Sequence, residues 1–298
     1  MKLLTAFGWA GLLVLTSAAS ADESGVLPLK GPSGFCSSGG EEIYFETYGS
    51  GEPVVLSHGL GGNHAIWYQQ VPVLAQSYRV IVWDQRGFGR STNHENKAGP
   101  AAFVEDLTAL LDHLEIEIAH LIGQSMGGWT VMGFALSHPE RVRSLVMADT
   151  IGGLYTPKIE ADFDEYIRAM QSAPIPDAVP IGPHPALGED VVKRDLAQAF
   201  LYSQIGSVAK PPPANVGFSL RATKYPHDAL AKVNIPTLFI VGEHDPIFPP
   251  STIREASSLI AASRVVEIPG AGHSPYFETP DAWNRVVLEF LGALSESE

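Results

Sequence analysis

A rhythm in the chain constrains its fold more than any other feature. Short, β-branched apolar runs alternate with segments whose apolar residues recur at helical spacing. Residues 41–48 alternate like a half-buried strand and end at the turn Gly49-Ser50-Gly51. Residues 54–56, 78–83, 119–122 and 144–148 read as buried strands. Between them, residues 101–114 place Phe103, Leu107, Leu110, Leu111 and Leu114 on one helical face, and residues 126–137 read as a second helix. The rhythm returns late, with strands at 237–241 and 265–268 and helices at 251–262 and 281–291. Continuous apolar strands joined by amphipathic helices require a mostly parallel central sheet with helices on both faces, an α/β fold.

The rhythm breaks between Gly152 and Lys232. Prolines crowd this stretch, among them Pro174, Pro176, Pro180, Pro183, Pro185, Pro211, Pro212, Pro213 and Pro226. Helical patches remain at 159–170 and 189–202, without a strong strand pattern. The spacing predicts an inserted helical lid over 152–232, on a core built from 41–151 and 233–298. The chain has 298 residues and is 45% hydrophobic, which supplies a sizeable core.

The N-terminus reads as an address. Lys2 is followed by a mostly apolar stretch at 3–15 and then by Ala19-Ser20-Ala21, a small-x-small cleavage pattern. The apolar stretch is shorter than the roughly 20 residues of a spanning helix. A signal peptide over 1–21, cleaved near Ala21, is expected, with an uncleaved anchor as the alternative. Export to the periplasm or the medium follows, without stable membrane insertion after cleavage. Cleavage removes Lys2 and no acid, so the net charge moves from −14 to −15. Residues 22–40, rich in Gly, Ser and Pro, read as a flexible arm. The acidic balance lacks the basic footprint that nucleic acid requires. Cys36 is the only cysteine, which excludes an internal disulfide and thiolate-rich metal sites.

The sharpest chemical signal is Gly123-Gln124-Ser125-Met126-Gly127, placed after a strand and before a helix. Gly-x-Ser-x-Gly in that context is a nucleophile elbow, whose glycines permit a cramped turn that lifts the serine hydroxyl at the strand's end. A serine needs a base. Of ten histidines, His273 follows the last strand in a glycine-rich loop, Gly270-Ala271-Gly272-His273. The base needs an anionic partner. Asp245, in Gly242-Glu243-His244-Asp245, is the choice, with Glu243 and Asp149 as rivals. The loop Ser57-His58-Gly59-Leu60-Gly61-Gly62-Asn63 leaves a strand at the same rim, and the backbone N–H groups of Leu60 and Met126 are expected to hold an oxyanion. His58 reads as a brace for that loop. Trp129 is expected to pack beneath the elbow helix. Trp67 and Tyr68 fit either the pocket or the core. The histidine spacings do not suggest a metal, and no cofactor is called for.

These motifs, together with Asp84-Gln85-Arg86-Gly87-Phe88-Gly89-Arg90-Ser91, resemble the α/β-hydrolase superfamily over nearly everything from Glu41 to Leu291 except the lid. The resemblance implies Ser125 as nucleophile, His273 as base, Asp245 as acid and Asp84 as a brace. Within the superfamily the chain looks like the small lidded branch of enol-lactonases, esterases, perhydrolases and carbon–carbon bond hydrolases. Gly61-Gly62-Asn63 departs from the usual Gly-Pro-Gly of the carbon–carbon hydrolases, and Pro275 and Tyr276 stand where they often carry tryptophan. Those departures favour a small or medium carboxylic ester or lactone as substrate. Carbon–carbon cleavage or perhydrolysis is the alternative, and a non-catalytic ligand binder is a third reading.

Overall fold

A computed structural model describes residues 30–172, 184, 186–208 and 210–295. The expected signal peptide at 1–21, the first part of the arm at 22–29, and lid residues 173–183 lie outside the described residues.

Eight strands form one sheet: β1 Lys30–Ser38, β2 Glu41–Tyr48, β3 Glu52–Ser57, β4 Tyr78–Trp83, β5 Ala119–Gln124, β6 Val142–Ala148, β7 Thr237–Gly242 and β8 Ser263–Ile268. Their spatial order is β1-β2-β4-β3-β5-β6-β7-β8. The β1–β2 and β2–β4 pairs are antiparallel, and every other pair is parallel. The helices are α1 Val71–Leu74, α2 Pro100–His113, α3 Met126–Ser137, α4 Pro157–Ser172, α5 Glu189–Arg194, α6 Leu196–Ser207, α7 Val216–Ala222, α8 His227–Leu230, α9 Pro250–Ser257, α10 Pro275–Glu278 and α11 Pro280–Ser295. This is the mostly parallel sheet, with helices on both faces, that the spacing predicts.

The parallel strands are apolar on both faces because each face is covered. Alternate residues feed different layers. Val55, Ile81, Leu121, Leu145 and Phe239 pack with Phe103 and Leu107 of α2, Met132 and Phe134 of α3, and Ile253 of α9. Their neighbours Val54, Leu56, Val80, Ile122, Val146 and Leu238 pack with Leu74 of α1 and with Trp283, Val287 and Leu291 of α11. Each such side chain stabilises the fold by roughly 1.5–3 kcal/mol relative to exposure.

Two expectations need correction. The arm at 22–40 is a strand from Lys30 onward. Phe35 pairs with Tyr44 across the β1–β2 ladder, and Cys36 is buried opposite Ile43. Its Gly, Ser and Pro content masked an edge strand, where such residues are tolerated. The helical patch at 189–202 is two helices. Asp195 ends α5 and caps α6, accepting the Gln198 N–H at 2.9 Å. The chain between β6 and β7 carries α4 through α8, the region read as a lid. Ile159 of α4 and Val216 of α7 anchor it to the core.

Candidate active site

Parallel strands end on one rim, and the expected site residues gather there. Ser125 directly follows β5 and Asp149 directly follows β6. Asp245 lies in the loop after β7, and His273 in the loop after β8.

Ser125 has φ 48° and ψ −115°. L side chains avoid this region at a cost on the order of 1–3 kcal/mol. Local packing holds it there. The Ser125 N–H donates to the Ala148 carbonyl at 2.9 Å, and Thr150 Oγ1 donates to the Ser125 carbonyl at 2.7 Å. The flanking glycines are required by contact, since a Cβ at Gly127 would strike the Ser57 carbonyl at the end of β3, and one at Gly123 the Gly127 carbonyl.

His273 and Asp245 are paired, Nδ1 to Oδ2, at 2.8 Å. Both are almost wholly buried. Asp245 Oδ1 accepts the N–H groups of Ile247 at 2.8 Å and Phe248 at 3.1 Å. An ionised carboxylate only accepts, so Nδ1 carries the hydrogen and Nε2 is left as the acceptor, the state a general base requires. Nε2 is buried with no partner among the described residues. Ser125 and His273 line one cavity of about 330 Å³, together with Leu60 and Met126. Neither the Leu60 nor the Met126 backbone N–H has an acceptor among the described residues. Two free donors beside a serine and an imidazole can hold a developing oxyanion.

The supporting residues were only partly legible. Gln124, the variable residue of the elbow, donates through Nε2 to the His273 carbonyl at 3.0 Å. Glu278 is buried on α10 and receives three backbone N–H groups, from Gly272 at 2.9 Å, Ser274 at 3.0 Å and Gly188 at 3.0 Å. It therefore clamps both sides of His273 and ties them to the lid. Sequence reading missed it because backbone N–H donors carry no residue signature, and Gly188 lies 90 residues away in the chain. Asn63 donates to the Ile205 carbonyl of α6 at 2.9 Å, linking the Leu60 loop to the lid as well.

His58 braces its loop. Its Nε2 accepts the Gln85 N–H at 3.1 Å, Nδ1 lies 2.8 Å from the Gly59 carbonyl, and complete burial pushes the imidazole below its usual range. Asp84 accepts from His64, through the backbone at 2.7 Å and Nδ1 at 2.8 Å, and from the Arg90 N–H at 2.8 Å. Burial alone would raise its carboxyl, but these bonds outweigh it and hold the group below the ordinary range. Glu243 turns away and accepts the Gly270 N–H at 2.9 Å. Asp149 stays beside the pair, its Oδ1 accepting the Gly242 N–H at 2.9 Å. Trp67 belongs to the core with Tyr276 and Trp283. Trp129, a residue of α3, lines the cavity and donates its indole N–H to the Thr223 carbonyl at 3.2 Å.

Asp149, Asp245 and His273 are the described residues compact enough to share a metal ion. His273 Nδ1 is already bonded to Asp245 Oδ2 at 2.8 Å, an arrangement that an ion there would have to break. The cavity wall is apolar and aromatic, with Trp129, Phe163, Tyr166, Leu220, Ile247 and Phe248. Phe163 lies 5.3 Å from Phe248 between ring centroids. The lid cations Arg221 and Lys224 are paired with Asp164 and Glu160.

Comparison with known proteins gives concordant results. Residues 52–216 and 214–280 match the family described as alpha/beta hydrolase fold. The chain is 29% identical over 264 residues to a pimeloyl-[acyl-carrier protein] methyl ester esterase of Aeromonas hydrophila, covering 84% of this chain and 99% of that one. It is 30% identical over 249 residues to 3-oxoadipate enol-lactonase 1 of Acinetobacter baylyi, covering 81% and 89% respectively. Among solved structures, a thermophilic esterase from Thermogutta terrifontis superposes with a TM-score of 0.73 at 27% identity, over 89% of this chain and 99% of that one.

Proposed function

The chain belongs to the α/β-hydrolase family, and from that premise we propose that it is an exported serine hydrolase that cleaves a small or medium carboxylic ester or lactone through an acyl-enzyme on Ser125. The observation that carries the reading is the juxtaposition at the rim: an imidazole bonded to Asp245 at 2.8 Å, with its other nitrogen unpartnered, in the same cavity as a serine on a strained elbow.

In this mechanism Ser125 Oγ attacks the carbonyl carbon while His273 Nε2 takes its proton. The carbonyl oxygen becomes an oxyanion held by the N–H groups of Leu60 and Met126. Each such donor contributes about 3 kcal/mol to the transition state. The imidazolium then gives its proton to the departing alkoxide oxygen, leaving the acyl group on Ser125. Water repeats the sequence in reverse and releases the acid. Asp245 holds the imidazole in one tautomer throughout.

The apolar wall supports a neutral substrate. Carbon–carbon cleavage of a dienoic acid uses the same triad, but its carboxylate would enter a cavity whose nearby lid cations are already paired. Desolvating that charge works against the alternative. Export rests on the leader at 1–21, and N-terminal sequencing of the exported protein should begin at Asp22.

Ser125→Ala decides the central reading. Wild type should hydrolyse nitrophenyl esters and take a fluorophosphonate label, and S125A should do neither while unfolding like wild type. Full hydrolysis by a folded S125A would remove Ser125 from the mechanism. A wild type that neither labels nor turns over any ester would favour a ligand-binding role.

A further inference from the structure

Asp149 is a second, completely buried carboxyl beside the His273–Asp245 pair, and the mechanism above does not use it. It follows β6 with φ 48°, in the left-handed region that aspartate enters more readily than most residues. Its backbone N–H donates to the Ile240 carbonyl of β7 at 2.8 Å, and its Oδ1 accepts the Gly242 N–H at 2.9 Å. Oδ2 is buried with no donor aimed at it. One Asp149 oxygen, one Asp245 oxygen and one His273 nitrogen all lie within 4.8 Å of one another.

Two carboxylates this close and this dry do not both ionise. The donors decide which keeps the proton. Asp245 receives His273 Nδ1 and the N–H groups of Ile247 and Phe248. Asp149 receives one N–H, from Gly242. The negative charge therefore belongs on Asp245 and the proton on Asp149. Burial, and then the neighbouring Asp245, push the Asp149 carboxyl well above the usual carboxylate range. The other ionisable groups facing this cluster are Glu278 of α10, Tyr202 of the lid, Tyr276 of α10, and His184 and Tyr166 at the cavity wall.

We propose that Asp149 is a neutral positioning residue that donates its carboxyl hydrogen to Asp245 and so limits how strongly Asp245 holds a proton on His273. This rests on the serine-hydrolase reading for its kinetic consequence but not for its structure. A hydrogen bond from Asp149 draws charge away from the Asp245 oxygens. The imidazolium is then stabilised less, and His273 stays available as a base at lower pH. Asparagine reproduces both contacts, its oxygen accepting the Gly242 N–H and its NH₂ donating to Asp245. Alanine removes them.

The experiment compares D149N and D149A with wild type. D149N should keep the acid limb of the kcat/KM pH profile in place. D149A should move that limb upward by about one pH unit and lower kcat/KM about tenfold at pH 6. A downward shift in D149N would mean that Asp149 is ionised in the wild type, and an unmoved limb in folded D149A would mean that no donor acts on Asp245; either overturns the proposal. Infrared difference spectroscopy of wild type minus D149N at neutral pH gives a readout independent of turnover. It should contain the carbonyl band of a protonated, buried carboxylic acid, and its absence would overturn the proposal even if D149A does not fold. A protein that shows the band yet hydrolyses no ester would leave Asp149 neutral and place the fault in the serine-hydrolase reading.

Discussion

At position 278 one carboxylate receives N–H groups from Gly188, Gly272 and Ser274. A glutamine there offers one oxygen and turns an NH₂ toward donors. Glu278→Gln should therefore cost about 1–3 kcal/mol of stability, read by urea unfolding. It should also lower kcat more than it raises KM, because the loop carrying His273 loosens while the apolar wall stays. Unchanged kcat in a folded E278Q would show that Gln124 alone positions the loop. Ser125, His273 and Asp245 could be selected from sequence because each follows a strand in a glycine-marked turn. Glu278 and Gln124 could not, because their partners are backbone groups, which no residue type marks, and Gly188 and His273 are brought to them only by folding. Position along the chain prefers Asp245 without excluding its rivals Asp149 and Glu243; in the structure Asp245 bonds to His273, Asp149 to Gly242 and Glu243 to Gly270.

Among the elements, the β1–β2 edge departs most from its sequence pattern. On β2, Tyr44, Glu46 and Tyr48 share one face at a spacing of two. Tyr44 donates to Glu46 at 2.6 Å, Tyr48 donates to it as well, and Lys30 of β1 reaches it at 3.1 Å. Burial alone would raise the Glu46 carboxyl, but these bonds outweigh it and bring the group down to about 2 from 4.5. A carboxyl lowered on folding adds stability that is present above its unfolded value and lost as pH falls through the folded one. Glu46 therefore contributes fully above about 4.5, and its contribution fades as pH drops toward about 2. Glu46→Gln should flatten the loss of stability across that window, measured by urea midpoints at a series of pH values. An identical acid slope in wild type and E46Q would assign the edge's acid sensitivity elsewhere. The strand β1 itself was hidden because an edge strand is paired along one edge only and tolerates the glycine and proline that elsewhere mark loops.

Across the whole molecule, the proposed chemistry lies at the sheet rim and the proposed selection in a cavity wall drawn from two regions of the chain. The cavity wall combines Trp129 and Phe248 from the core with Phe163, Tyr166 and Leu220 from between β6 and β7. The chain carries a net charge of −14, which repels anions at long range. A nitrophenyl ester with a neutral branched acyl chain should exceed a hemisuccinate of similar size in kcat/KM by on the order of a hundredfold, since an unpaired buried carboxylate costs several kcal/mol. Equal rates for the pair would show that the carboxylate remains in solvent when bound. A faster hemisuccinate would require a cation inside the cavity.

Periodicity and glycine-marked turns are local properties of a chain. The amino-acid sequence therefore sufficed for seven of the eight strands, the main helices between them, the elbow at Ser125 and the loops that bear His273 and Asp245, but not for the edge strand β1. Which carboxylate meets the imidazole, which buried acid keeps its proton, and what surrounds the substrate depend on distances between residues far apart in the chain. Those distances are set by packing, and a wall assembled from two separate regions leaves no period to read.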